Sequence, residues 1–355
     1  FLMVDYSCAL KLTIPIAVMK AISQASKKKV LVKGGKYLEN LSKANTVVFD
    51  KTGTLTKSKP QVAKIIACNR LSEDECLRIA ACLEEHFPHS IARAVVEHAK
   101  EKGLTHEEMH SKPEYIVAHG IRSTIDGKTS LIGSEHFIFD DEGIKIDDNK
   151  KEIIDNLKEN YSLLYLALDD QLEAVICIDD PLREEAKEII KSLRELSIDN
   201  IVMLTGDAEN SAKSIASKLD LDYYKSQVLP EDKQKYILEE KKKGKIVVML
   251  GDGVNDSIAL SSADVGISMH QGADIAKEIS DISIGSDDLH GLIDVTKIAK
   301  QMNARIRRDY VNIVAINSSL IILGVLGLMT NTRCALLHNL STVAIASNNM
   351  RTYKD

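Results

Sequence analysis

The sequence has no Cys-x-x-Cys pair, no excess of basic charge, no internal repeat and no low-complexity tract. Each absence excludes a class of protein. The six cysteines, Cys8, Cys68, Cys76, Cys82, Cys177 and Cys334, stand singly, which indicates neither a disulfide framework nor a zinc ribbon and suits a reducing cytoplasm for the soluble part. A formal charge of −6 argues against a nucleic-acid binder, which needs a basic face to neutralise phosphates. The chain opens at Phe1 in an apolar run without a charged leader or cleavage site, so no signal peptide is read there and the sequence reads as one that starts in the middle. Its 355 residues leave room for about two or three domains. The 28% of charged residues indicates extensive wet surface, on which Lys27 to Lys29 and Glu239 to Lys243 read as solvated or membrane-proximal charge.

Near the end, Val311 to Thr330 is an uncharged stretch of roughly 20 residues, the length a helix needs to cross a bilayer. Arg305, Arg307 and Arg308 precede it, and basic flanks favour the cytoplasmic side, which places the upstream chain in the cytoplasm. A second span is expected from about Arg333 to Met350, although His338, Asn339, Ser341, Thr342, Asn348 and Asn349 interrupt its apolar pattern. Phe1 to Met19, with Pro15 inside it, reads as a broken membrane helix whose freed carbonyls would line a site. For any one of these segments the alternative is a buried helix of a soluble domain.

Between them, Thr46 to Phe49, Ile201 to Leu204 and Ile246 to Leu250 are short β-rich apolar runs, each ending in a polar turn and accompanied by helical patterns such as Arg183 to Glu195. This is the pattern of buried parallel strands in an α/β sheet, whose ligand site lies at the carboxyl ends of the strands. About Ser58 to Val175 changes character. Helices over Ser72 to Glu84 and Ser90 to Lys102, then strands near Tyr115 to Val117, Ile121 to Ile125 and Thr129 to Ile132, predict an α+β domain inserted after the first strand.

The chemistry concentrates at the strand ends. Asp50-Lys51-Thr52-Gly53-Thr54-Leu55-Thr56 follows the first strand directly, and a carboxylate at the tip of a buried strand can attack a γ-phosphoryl group to form an acyl phosphate. Gly53 permits close backbone approach to that phosphate. In this string the chain resembles the P-type ATPases of the haloacid dehalogenase superfamily, heavy-metal branch, and the resemblance runs over nearly the whole chain. It implies a Rossmann-like phosphorylation domain at 23–57 and 176–300, a nucleotide-binding domain at 58–175, a metal-site membrane helix at 1–22 and two membrane helices at 301–355. It further implies Asp50 as the phosphorylated nucleophile, with Thr205-Gly206-Asp207 donating to phosphoryl oxygens and Lys233 offsetting charge in the transition state. Lys51, Thr54, Gly206 and Asn255 would border the nucleotide phosphates. Asp50, Thr52 and Asp252 would hold Mg²⁺. Asn255 and Asp256 are expected behind those ligands or at a hinge. Asp180-Pro181-Leu182-Arg183 also matches the family, and equally reads as a capped helix start.

Thr52 separates this chain from superfamily phosphatases, which place a second Asp two residues after the nucleophile as general acid and base. An acyl phosphate without that base should persist, as a transport cycle requires. In the nucleotide domain, Glu85 to Ala94 resembles the family's His-Pro region, with His89 at the histidine position and Ser90 replacing proline. His89 would contact adenine, against the alternative of a histidine opening a helix. Gly120 and Gly133 match the glycine contacts, with Ala118 where a first glycine would stand.

The family's metal helix usually carries a Cys-Pro-Cys or related motif, whereas here the stretch is Tyr6-Ser7-Cys8-Ala9, with one cysteine. The single thiolate of Cys8 with Asp5, Ser7 and, from the C-terminal helices, His338, Asn339, Ser341 or Thr342 would give a mixed site that favours Zn²⁺, Mn²⁺, Fe²⁺, Co²⁺ or Ni²⁺ over Cu⁺. Cys8 also reads as a small buried hydrophobe. The expectation is an integral membrane protein, in the plasma membrane with cytoplasmic catalytic domains, that uses ATP and Mg²⁺ to export a transition-metal cation. Its membrane-lipid surroundings, further N-terminal helices and an actuator domain would be its partners, because no Thr-Gly-Glu string is present to direct water at the aspartyl phosphate. The rival readings are a soluble phosphatase or phosphotransferase of the same superfamily and a non-catalytic regulatory protein.

Overall fold

The structure is a computed structural model that describes residues 6–57, 59–85, 90–104, 114–116, 120–125, 127–158, 161–207, 209–251, 256–269 and 278–354, without the side chains of Tyr6, Ser7, Cys8, Tyr115, Asp148 and Asn149. Strands are numbered along the chain. The first sheet contains β1 (Val30–Val32), β2 (Thr46–Asp50), β9 (Asn200–Leu204), β10 (Tyr223–Lys225), β11 (Val247–Gly251), β12 (Val265–Ser268) and β13 (Ile282–Ile284), in the order β1-β13-β12-β11-β2-β9-β10. Every pairing is parallel except β1 with β13. A parallel sheet is covered on both faces, and the side chains alternate accordingly. Val47, Phe49, Ile201, Met203, Val248 and Leu250 enter one core, while Val48, Val202, Leu204, Val247 and Met249 enter the core on the opposite face. The three apolar runs seen in the sequence are thus β2, β9 and β11, adjacent at the centre of the sheet.

The second sheet is antiparallel, in the order β3-β8-β7-β6-β5-β4, built from β3 (Gln61–Ala67), β4 (Glu114–Ile116), β5 (Gly120–Ile125), β6 (Lys128–Gly133), β7 (Ser162–Leu168) and β8 (Gln171–Asp179). Helices Glu73–Glu84 and Ser90–Glu101 cover one face through Cys76, Leu77, Ala80 and Val95. Ser72 starts the first of them with a reciprocal cap, its Oγ accepting from Glu75 N at 3.3 Å while Glu75 Oε2 accepts from Ser72 N at 3.0 Å. The chain leaves the first sheet after Thr56 and returns at Leu182, and these residues form an antiparallel bridge between the two crossings.

Helix His290–Val325 is 36 residues long, about 54 Å at 1.5 Å per residue. Its first half packs Leu292, Val295, Ile298, Ala299 and Met302 into the core of the parallel sheet. Its second half is apolar and outward-facing, exposing Val311, Ile322 and Val325, and the following helix Asn331–Asn349 exposes Leu336, Leu337, Leu340 and Val343. Among the described residues His290–Val325 alone is long and apolar enough to cross a membrane by length and composition. The apolar stretch expected to reach Thr330 stops as helix at Val325, because Gly327 turns the chain at φ +69°.

The expected break at Pro15 is corrected by the structure, in which one helix runs over Tyr6–Lys27. The helix stays whole because its small-residue stripe, Ala9, Thr13, Ala17, Ala21 and Ala25, is buried at every fourth position while Pro15 lies on the exposed side. The Lys11 carbonyl that Pro15 cannot satisfy therefore sits on the outward face and not among the neighbouring helices.

Candidate active site

Parallel pairing aligns Asp50 with Leu204 and Phe49 with Leu250, so the turns after β2, β9 and β11 converge at one edge of the sheet. Asp50 ends β2 at 7% exposure. Lys233, in helix Pro230–Lys242, donates to Asp50 Oδ1 at 2.5 Å and to Asp256 Oδ1 at 2.8 Å. Burial alone would lower the pKa of this ammonium, but the two carboxylates outweigh it and raise the pKa, so the cation is firmly held. Asp256, expected behind the site, touches Lys233 directly. An added Cβ at Gly251 would stand 2.7 Å from Asp256 Oδ2, so glycine there leaves room for that carboxylate.

After Asp50 the chain closes a wide helical turn over Lys51–Leu55 in which Gly53 takes φ +73°, a conformation that favours glycine. Gly53 N donates to Thr56 Oγ1 at 3.1 Å, and Thr56 Oγ1 donates to Asp180 Oδ2 at 2.6 Å, which ties the outgoing crossing to the returning one. Arg183, 2% exposed, donates from Nε to Thr54 O at 2.8 Å, from one terminal nitrogen to Gly53 O at 3.3 Å and from the other to Asp287 O at 2.6 Å. The Asp180-Pro181-Leu182-Arg183 segment therefore fixes the shape of the turn that carries Asp50. Burial pushes the Asp180 carboxyl up, against the opposing effects of Thr56 and Lys51.

Lys51 pairs with Asp207. Thr205, buried, follows β9 and accepts from Asp207 N at 3.1 Å. Thr52 is exposed and, with Lys51, Asp180 and Asp207, lines a cleft of about 700 Å³ whose opposite wall includes Ser90, Ile91 and Lys158. Thr54 Oγ1 is buried without a hydrogen-bond partner among the described residues. Carboxylate, ammonium, an unsatisfied hydroxyl and a cleft beside them fit a phosphorylated substrate; of the Mg²⁺ set, Asp252 lies outside the described residues, as do Asn255 and His89.

Gly120 and Gly133 are cross-strand partners in β5 and β6. A Cβ at Gly120 would lie 2.4 Å from Phe137, so packing alone requires glycine there. In the helical bundle, His338 Nδ1 lies 3.0 Å from Asn317 Oδ1, with both residues buried. With the amide in this orientation Asn317 Oδ1 can only accept, so His338 Nδ1 carries the proton and Nε2 is left as an acceptor. Asn339 is exposed and is not brought to this pair, and the side chains of Cys8 and Ser7 lie outside the described residues. Asn317 was not singled out from the sequence, where it is one polar residue in an apolar run.

A buried carboxylate at the tip of a central parallel strand, with a lysine bonded to it, defines a class of enzyme. The chain belongs to the haloacid dehalogenase-like hydrolases, whose family model matches residues 44–264. Within that family its relatives are heavy-metal P-type ATPases. It is 36% identical over 353 residues, 99% of its length, to a zinc-exporting P-type ATPase of Mycobacterium marinum and likewise to a manganese-exporting P-type ATPase of Mycobacterium leprae, covering 48% of each. The chain thus spans about half the length of the curated relatives it matches. Its structure is similar to that of a zinc-transporting PIB-type ATPase in the E2.Pi state, with a TM-score of 0.86 and 30% identity over 98% of this chain and 56% of that one. It is also similar to the catalytic domain of the CPx-ATPase CopB-B, with a TM-score of 0.64 and 29% identity over 78% of this chain and 98% of that one.

Proposed function

We propose that the chain carries the catalytic and C-terminal membrane parts of an ATP-driven exporter of a divalent transition-metal cation, acting through an aspartyl phosphate at Asp50. The observation that carries this reading is Asp50 at the tip of β2, gripped by Lys233, in a sheet whose core is continuous with a helix that runs on into an apolar bundle. An Asp50 oxygen attacks the γ-phosphorus, the bond from that phosphorus to the bridging oxygen breaks, and ADP leaves with the electron pair. Lys233 holds the attacking carboxylate in place and stabilises charge on the phosphoryl oxygens. Thr205, Gly206, Lys51, Asp207 and Thr54 would border the same phosphate, and Asn255 is assigned to it from the sequence alone. Asp50, Thr52 and Asp252 would hold Mg²⁺, whose charge would offset that of the phosphate.

The nucleotide's base would sit at the second sheet with His89, Gly120 and Gly133. The cation would meet His338 Nε2, with Asn317 orienting the ring, and Cys8 and Ser7 from the first helix. One imidazole among oxygen donors and a single thiol suits Zn²⁺, Mn²⁺, Fe²⁺, Co²⁺ or Ni²⁺ better than Cu⁺. Arg305, Arg307 and Arg308 place the catalytic part in the cytoplasm, and the plasma membrane is the membrane we infer.

The test sets transport chemistry against the phosphatase alternative. The detergent-solubilised chain should accumulate a long-lived phosphoenzyme from ATP and barely turn over a small phosphate monoester. Rapid multiple turnover of the monoester without accumulated phosphoenzyme would favour the phosphatase.

A further inference from the structure

Three helices meet along one buried seam. Tyr6–Lys27 contributes Thr13 and its alanines, His290–Val325 contributes Asp309, Ile313, Asn317 and Leu320, and Asn331–Asn349 contributes Cys334, His338, Ala346 and Asn349. The Asn317–His338 pair occupies one level. Asp309 lies two helical turns away, about 12 Å along the axis toward the basic end.

At that second level two oxygens are buried and lack hydrogen-bond partners among the described residues: Asp309 Oδ2, on a side chain 4% exposed, and Asn349 Oδ1, on one 1% exposed. The surroundings of the two residues overlap around Arg305 and Tyr353. Asn349 Nδ2 donates to Thr13 O at 3.1 Å, and Tyr353 Oη donates to Ala17 O, one turn further along, at 2.9 Å. Asp309 acts electrostatically on Tyr353. Arg305, one turn before Asp309, has its guanidinium 4.0 Å from the Tyr353 ring centroid and donates to the carbonyls of Asn349, Arg351 and Thr352 at 3.5, 2.8 and 3.3 Å. That guanidinium, the obvious ion-pair partner one turn away, is committed to carbonyls and a ring and forms no ion pair with Asp309.

A buried carboxylate oxygen and a buried amide oxygen without partners call for a hydrogen-bond donor or a cation. We infer that Asp309 and Asn349 form a second, oxygen-only cation site in the helical seam, on the basic-flanked side of the Asn317–His338 pair, where the cation is held before it reaches the imidazole. The inference rests on the transport reading above. Oxygen donors without sulfur or nitrogen suit a hard or borderline divalent ion such as Mn²⁺. Mg²⁺ gives up its waters reluctantly and does not compete well for such a site.

The test is Mn²⁺ binding to the full chain in detergent micelles, followed by electron paramagnetic resonance with excess Mg²⁺ filling the carboxylates near Asp50. The wild type should show two classes of bound Mn²⁺, one coupled to a ring nitrogen and one coupled to oxygen only. Asp309→Asn, which keeps shape and removes charge, should lose the oxygen-only class and at least tenfold of that affinity, with Asp309→Glu restoring part of it. His338→Ala should lose the nitrogen-coupled class alone. Retention of both classes in Asp309→Asn, or loss of both in that variant, would overturn the second site. A wild type that binds neither Mn²⁺ nor Zn²⁺ would overturn the transport reading itself.

Discussion

Lys233 Nζ lies 2.5 Å from Asp50 Oδ1, joining two residues 183 positions apart in the chain. The same ammonium bonds Asp256, so one cation is shared between two buried carboxylates. Lys233→Met should lower the rate of Asp50 phosphorylation by about 100- to 1000-fold, the usual effect of removing one preorganised electrostatic donor. It should also cost stability on the order of 3 kcal/mol, because two buried carboxylates lose their counter-charge. Rapid-quench labelling and denaturant unfolding check the two effects separately. Normal phosphorylation in a stable variant would remove Lys233 from the chemistry.

Arg183 acts through the turn that carries Asp50. Its guanidinium satisfies the carbonyls of Gly53 and Thr54 on one side and Asp287 on the other. Arg183→Ala should lower unfolding stability by about 3 kcal/mol, since it leaves the buried Gly53 and Thr54 carbonyls unpaired at once. Arg183→Lys should recover only part of this, because an ammonium lacks the planar fork that reaches all three acceptors. Equal stability of both variants and the wild type by thermal or denaturant unfolding would contradict the clamp.

Thr52 is exposed at the cleft, two residues beyond the nucleophile. Thr52→Asp supplies a carboxylate where superfamily phosphatases carry their acid and base, so the phosphoenzyme lifetime should shorten by about 100-fold, the lower end of general acid–base contributions. A chase of labelled phosphoenzyme with unlabelled ATP measures it. An unchanged lifetime would mean that Thr52 is not what preserves the acyl phosphate.

Glu84 ends helix Glu73–Glu84 at 2% exposure, and burial pushes its carboxyl from 4.5 up to about 7. The folded state therefore keeps the proton to higher pH than the unfolded chain does. The stability contributed by this group is full below about pH 4.5 and is lost as pH rises through about 7, by up to roughly 3 kcal/mol. Glu84→Gln should flatten the stability profile between about pH 5 and 8. Chemical denaturation of wild type and variant across that range decides it, and parallel slopes would contradict the assignment.

The parts of the fold legible in the sequence are those written locally. The runs at Thr46 to Phe49, Ile201 to Leu204 and Ile246 to Leu250 became the three central strands because a two-sided parallel sheet demands unbroken apolar runs, which need no distant context to be seen. The turn Asp50 to Thr56 was legible for the same reason. What was not legible depends on juxtaposition. Nothing near Asp256 reveals that Lys233 will bond it, and nothing near Asn317 reveals that His338 will face it from another helix. Pro15 reads as a break until the packing of Ala9, Thr13, Ala17, Ala21 and Ala25 leaves it on an outward face. The unity of His290–Val325 was hidden because its first half is patterned for a core and its second for a membrane.

Covalent chemistry at Asp50 is tested by Mg²⁺-dependent labelling of the chain with ATP carrying label on its γ-phosphate, in wild type and Asp50→Asn. The wild type should take a label that hydroxylamine removes, as it does an acyl phosphate, and the variant should take none. A label that persists in Asp50→Asn, or that resists hydroxylamine, would contradict it.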